Sequence, residues 1–163
     1  FCTAPWRDRP AHELTAARAR FVDEVARPAL REGALDLVRR HREAGDLMAV
    51  VTATNEFVTR PIASLFGIDT LIATELARDG EGRVTGAIRG TPAFRAGKIE
   101  RVHDWLRAQG RGFDDFEAQV FYSDSTNDLA LLERVSHPVA TNPGAALEAI
   151  ALERRWPILR LFA

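Results

Sequence analysis

A chain of 163 residues fits one ordinary domain, long enough to bury a core and too short for two large ones. With 46% hydrophobic and 28% charged residues it falls outside the disordered classes, and no apolar run is long enough to span a bilayer. Lys plus Arg at 22 against Asp plus Glu at 23 give a net charge of −1, which offers no electrostatic footprint for nucleic acid, so the expected partner is a small molecule, not a nucleic acid or a membrane.

One cysteine, Cys2, rules out an internal disulfide framework and a cysteine-rich zinc site, and a reduced, cytoplasmic setting is expected. The opening Phe1-Cys2-Thr3-Ala4-Pro5-Trp6 has no initiator Met, basic segment or apolar stretch, so it does not read as a signal peptide. It reads as the middle of a longer sequence.

In chain order, Leu14, Ala17, Phe21 and Val25 recur at helical spacing and predict an amphipathic helix over 12–25. Pro28 is placed to open a second helix with Leu30, Ala34, Leu37, Val38 and His41 inward, and Gly45 stops it. The run Leu47-Met48-Ala49-Val50-Val51 predicts a strand buried on both faces. A helix over 56–66 ending at Gly67, a short strand at Leu71-Ile72-Ala73 and a hairpin turning at Asp79-Gly80-Glu81-Gly82 follow. Next come a helix over 95–109 with Ile99, Val102, Trp105 and Leu106 inward, and a strand at Gln119-Val120-Phe121-Tyr122. A helix near 127–135, a strand at Pro138-Val139-Ala140, a helix near 144–154 and a strand at Ile158-Leu159 complete the pattern. Strands alternating with helices predict an α/β fold with a mostly parallel sheet, whose ligands bind at the carboxyl ends of the strands.

Three segments carry candidate chemistry. Thr52-Ala53-Thr54-Asn55 puts hydroxyls and N–H groups at a helix start, which suits an anion and equally suits an ordinary helix cap. Ser123-Asp124-Ser125-Thr126-Asn127-Asp128 sets two carboxylates and an amide across a strand end, which suits Mg²⁺ and also reads as a capped turn. Lys98 sits at the start of a helix, where a cation meets the unfavourable end of the helix dipole; a solvated surface lysine is the alternative. The histidines His12, His41, His103 and His137 lack ligand spacing, and Arg20, Arg39 and Arg40 read as solvated helix faces.

In this order the three segments resemble the second, third and fourth motifs of the haloacid dehalogenase superfamily, in its phosphoserine-phosphatase-like branch with a helical cap. Val51-Thr52-Ala53-Thr54 is similar to the second motif, Lys98 to the third and Tyr122-Ser123-Asp124-Ser125-Thr126-Asn127-Asp128 to the fourth. His41-Arg42-Glu43-Ala44-Gly45-Asp46, Leu71-Ile72-Ala73-Thr74-Glu75 and Pro138-Val139-Ala140 with Asn142-Pro143 extend the likeness over residues 20–160.

The resemblance implies a Rossmann-like core at 28–163, the C-terminal part of a cap at 1–27, and a Mg²⁺-dependent phosphomonoesterase acting on a small metabolite, phosphoserine-like or histidinol-phosphate-like. Thr52 and Ala53 would bind the phosphate together with Lys98, and Asp124 would bind Mg²⁺. Asn127 and Asp128 would stand behind the metal or hold Lys98, so that Thr52, Lys98 and Asp128 are the catalytic residues. A dianionic ester repels a carboxylate nucleophile unless such cations offset its charge. Transfer of the phosphoryl group to another alcohol uses the same residues, and a non-catalytic phosphate-binding relative is the alternative from another class.

The family's first motif, an Asp-x-Asp pair after an apolar strand, which carries the nucleophile and general acid, occurs nowhere in this sequence. The resemblance implies that it lies upstream of Phe1 on the central strand of the sheet, so that this chain alone is inactive. The isolated chain, with two apolar strand edges open, is expected to be poorly soluble or molten. A sharp cooperative melt from a monodisperse 163-residue monomer would contradict that expectation.

Overall fold

A computed structural model describes residue 7 and residues 9–161; Cys2 and the rest of the Phe1–Trp6 opening lie outside the described residues. The chain forms two compact units, residues 1–93 and 94–163, each around a three-stranded sheet. This α/β alternation is the expected fold class.

The first unit begins with α1 (Ala11–Phe21), which continues as a π-helical turn over Val22–Ala26. Leu14 is buried as expected, but Ala17 is exposed and Val25 is 54% exposed. For Val25 the cause is the wider turn: the Arg27 N–H reaches back five residues to the Val22 carbonyl, which shifts the side chains of Val22–Ala26 off the 3.6-residue stripe. Pro28 lies in a turn rather than opening a helix, and α2 starts four residues later (Glu32–Glu43).

Strand β1 (Val50–Asn55) starts and ends later than its apolar run. Leu47 is 44% exposed and Val50 and Val51 are only half-buried, so the run is not enclosed on both faces. Helix α3 (Glu56–Leu65) ends at Gly67, whose φ of 65° suits a residue without a side chain. Arg42 of α2 closes that end, donating to the Phe66 and Gly67 carbonyls at 2.7 and 3.0 Å; a Cβ on Gly67 would stand 2.7 Å from the same guanidinium. Strand β2 (Leu71–Arg78) pairs parallel with β1 and antiparallel with β3 (Val84–Arg89). The short strand and the first arm of the expected hairpin are thus one element.

In the second unit, α4 (Ala96–Arg107) buries Val102 and Leu106 and half-buries Ile99 and Trp105. Strands β4 (Val120–Ser123), β5 (His137–Thr141) and β6 (Ile158–Leu159) are all parallel, in that order. Between them run α5 (Leu129–Leu132), much shorter than the expected 127–135, and α6 (Ala145–Glu153). Leu132, Ala140, Leu147 and Ala151 are fully buried, with Phe121, Leu129, Trp156 and Ile158 packed on them. Each fully buried leucine contributes about 1.5–3 kcal/mol, and together they fix β4 and β5 beneath the loops at their carboxyl ends. Among the described residues β1 and β4 each pair on one side only, with β2 and β5. Among the described residues no helix is long and apolar enough to cross a membrane.

Asp79 organises the β2–β3 turn. Its carboxylate accepts from Arg83 Nε and from the Glu81 and Arg83 N–H groups at 2.9–3.0 Å. The Arg83 side chain, then those N–H groups, hold its pKa below the usual carboxylate range. The associated stability is complete above the unfolded-state pKa of about 3.9 and is lost as pH falls through the lower folded-state value. Asp79→Asn should therefore flatten the acid limb of the stability–pH curve below about pH 4; an acid limb unchanged by the substitution would contradict this role.

Candidate functional site

In the second unit, the carboxyl end of β4 leads into a turn held by two hydroxyls. Ser123 Oγ accepts from the Ser125 N–H at 3.1 Å, and Ser125 Oγ accepts from the Asn127 N–H at 3.2 Å. Residues Thr126–Asp128 then form one 3₁₀ turn, which carries Asp128 back to the strand end. There Asp128 Oδ1 stands 2.5 Å from Lys98 Nζ, and Oδ2 stands 2.7 Å from Ser123 Oγ.

Both ends of the ion pair are withdrawn from water, the Lys98 side chain 6% and the Asp128 side chain 9% exposed. The surface-lysine reading of Lys98 is thereby overturned. A buried charge persists only when paired and hydrogen-bonded, and here each partner satisfies the other. The helix that presents Lys98 is entered through Arg95, at φ 49° and ψ −124°, a conformation that costs a non-glycine residue on the order of 1–3 kcal/mol. Sequence reasoning passed over a further signal. Of the 22 Lys and Arg residues, Lys98 is the only lysine, so the one place where arginine was not used is this buried pair. A guanidinium is a broad planar fork, whereas an ammonium is a compact point charge with three donors.

Asp124 and Asn127 are exposed. Asp124 suits Mg²⁺ as one ligand, because the ion takes one or two carboxylates and keeps several waters. Asp128 has both oxygens engaged already, and among the described residues no group of three or more His, Cys, Asp or Glu gathers to form a metal cage. The residues present therefore fit one edge of a magnesium shell.

In the first unit, the β1–β2 ladder runs regularly to Thr52↔Ala73 and resumes at Asn55↔Thr74, so Ala53 and Thr54 bulge out of it. Thr52 Oγ accepts from the Thr54 N–H at 3.1 Å. The helix cap is Asn55, whose Oδ1 accepts from the Val58 N–H at 3.2 Å. Thus the two readings of this segment fall to different residues. Asn55 takes the capping role, and among the described residues the Thr52 hydroxyl proton has no acceptor. Glu56 Oε2 accepts from the Leu76 N–H at 2.9 Å and ties the start of α3 to β2.

Of the expected site residues, the structure brings Lys98 and Asp128 into contact, adds Ser123, and places Asp124 and Asn127 on the same turn. Thr52 and Ala53 belong to the other unit. The histidines stay outside this network: His12 and His137 are exposed, His41 pairs with Asp46 at 2.7 Å, and His103 packs on Phe113.

Residues 3–133 match the family described as haloacid dehalogenase-like hydrolase, and the chain belongs to that family. It is 42% identical over 159 residues to a histidinol-phosphatase of Neisseria meningitidis, covering 98% of this chain and 72% of the relative. It is 31% identical over 150 residues to a phosphoserine phosphatase of Mycobacterium tuberculosis, covering 92% of this chain and 47% of the relative. A crystal structure of a Bordetella pertussis protein of unknown function superposes with a TM-score of 0.95 at 48% identity, over 98% of this chain and 71% of that one. A phosphoserine phosphatase solved as a phospho-aspartyl intermediate analogue shares the fold, with a TM-score of 0.64 at 19% identity over 98% of this chain and 69% of that one. The chain thus spans about half to three quarters of the length of these relatives.

The ion pair makes a testable demand on stability. In the full-length protein, Lys98→Met strands a buried carboxylate and should cost about 3–5 kcal/mol in urea unfolding at neutral pH. Adding Asp128→Asn to Lys98→Met removes the unpaired charge and should restore a large part of that loss. Strictly additive losses in the double variant would contradict the pairing.

Proposed function

We propose that this chain is the phosphate-holding part of a Mg²⁺-dependent phosphomonoesterase that hydrolyses a small amino-alkyl phosphate. The observation that carries this reading is the chain's one lysine, buried on Asp128 at the carboxyl end of β4, the end of a parallel sheet at which α/β folds bind their ligands. Histidinol phosphate ranks ahead of phosphoserine as substrate because the relative named for it is 42% identical over 98% of the chain, against 31% over 92%.

In this reading Lys98 neutralises the phosphoryl oxygens while Asp128 holds its ammonium in place. Thr52 donates its hydroxyl proton to a phosphoryl oxygen, and the Ala53 N–H, in the same bulge, adds a second donor. Asp124, with Asn127 on the same turn, would hold a magnesium ion, which would supply charge neutralisation at the transferring group. The nucleophile and the general acid are a pair of aspartates from a segment outside these 163 residues, which contain no Asp-x-Asp sequence. One carboxylate attacks phosphorus as the ester oxygen leaves with a proton from the second. Water activated by that second group then cleaves the acyl phosphate, releasing phosphate and restoring both carboxyls. Residues 1–27 are read as the cap's C-terminal part and 28–163 as the catalytic core.

The test is phosphate release from histidinol phosphate and phosphoserine by the full-length protein, with and without EDTA. Asp124→Ala should abolish turnover, and Lys98→Ala should lower kcat/KM by at least about 100-fold. Lys98→Arg should fail to restore it, since a broad planar fork does not reproduce a compact, buried point charge on Asp128. Turnover indifferent to EDTA, full activity in Asp124→Ala, or an active Lys98→Arg would each defeat the assignment.

A further inference from the structure

Ser123 is the last residue of β4 and is 7% exposed. Its partner in the sheet is Ala140, which is fully buried in the core of the second unit, so its backbone is fixed by the best-packed part of that unit. The direction of its hydroxyl follows from donor and acceptor arithmetic. Ser123 Oγ already accepts from the Ser125 N–H. A hydroxyl has one proton to give, and an ionised carboxylate only accepts, so the proton lies on Asp128 Oδ2 at 2.7 Å. Asp128 is thereby gripped at both oxygens, by Lys98 on Oδ1 and by Ser123 on Oδ2.

A carboxylate held at one oxygen can swing about its terminal torsion, which is broad and roughly two-fold. Held at both, it cannot turn without breaking a buried hydrogen bond. Lys98, whose only partner among the described residues is that carboxylate, takes its position from the same anchor. Of its three N–H donors one is spent on Asp128, and the direction of the other two follows from where Asp128 stands.

We propose that Ser123 is a positioning residue: by fixing the Asp128 carboxylate against the end of β4, it sets where the Lys98 ammonium stands and which way its remaining donors point. This rests on the function proposed above, in which Lys98 meets the phosphoryl group. Ser123 is neither nucleophile nor proton donor to substrate, because its one proton is committed to Asp128.

Two readouts in the full-length protein separate this proposal from the reading on which it rests. Ser123→Ala should lower kcat for phosphate release by about 10- to 100-fold, with KM within about threefold, as outer partners of a site commonly do. Ser123→Thr, which keeps the hydroxyl, should recover most of that loss. The second readout needs no turnover. Because Lys98 is the only lysine of these 163 residues, its peptide is unambiguous by mass spectrometry, and the rate at which acetic anhydride acetylates it reports the pairing directly. That rate should rise at least about fivefold in Ser123→Ala, and return in Ser123→Thr, as a buried hydrogen-bonded pair is loosened and rebuilt. Thermal midpoints measured alongside exclude general unfolding as the cause. If Ser123→Ala does not fold, Ser123→Cys, a near-isostere with a weak donor, is put through the same two measurements. Wild-type kcat in a folded Ser123→Ala, a lowered kcat with the wild-type acetylation rate, or a folded Ser123→Thr that recovers neither readout would overturn the proposal. A wild-type protein without phosphatase activity would defeat the proposed function instead, and the acetylation rates would still decide the role of Ser123.

Discussion

Lys98 and Asp128 are each more than nine-tenths withdrawn from water, where each stands as the other's counter-charge. The desolvation of either ion alone costs several kcal/mol, so the pair constrains everything attached to it. It draws the first turn of α4 to the 3₁₀ turn after β4, across thirty residues of sequence. A hydrophobic pair of similar volume would cost less to bury. That such a pair stands here, made from the chain's only lysine, is best explained by a task that needs a fixed positive charge.

The surrounding structure serves that fixation. Leu132, Ala140, Leu147 and Ala151 lock β4 and β5 beneath the site, and Ser123 transmits the sheet's position to Asp128 through one hydroxyl. The turn from Ser123 to Asp128 is short because its serines satisfy the N–H groups that a longer helix would have used. In the other unit the same economy appears at β1. Two residues bulge from the ladder, Asn55 caps α3, and among the described residues no acceptor takes the Thr52 hydroxyl proton. Both units therefore end their first parallel strand in a hydroxyl-rich turn, a form that suits binding an oxyanion through donors already in place.

Much of this was legible in the sequence because the relevant signals are local. Gly45, Gly67 and Gly110 end their helices with positive φ, and the hairpin turns at Asp79. The strand at Ile158-Leu159 stands as expected, and of the two roles open to Asp128, behind a metal or against Lys98, the contact seen is with Lys98. The failures are long-range or subtle. Periodicity assumes 3.6 residues per turn, so the π turn at Val22–Ala26 could not be seen and Val25 was placed inside. The apolarity of Leu47–Val51 marked a strand but not its bounds, because the bulge that carries β1 on to Asn55 depends on its pairing with β2. Ser123 carried no signal of its own: a serine at a strand end reads as a turn former until the position of Asp128 is known. The solitary lysine could have been read from composition alone.

The buried ammonium of Lys98, kept in place by Asp128, is proposed as the positive charge that receives the phosphoryl group. The most direct measurement is a crystal structure of the full-length protein with Mg²⁺ and vanadate, which takes the trigonal shape of a phosphoryl group in transfer. The account predicts a vanadate oxygen within hydrogen-bond distance of Lys98 Nζ while Lys98 still holds Asp128 and Asp128 still holds Ser123. Vanadate bound away from Lys98, or bound with the Lys98–Asp128 pair broken, would contradict it.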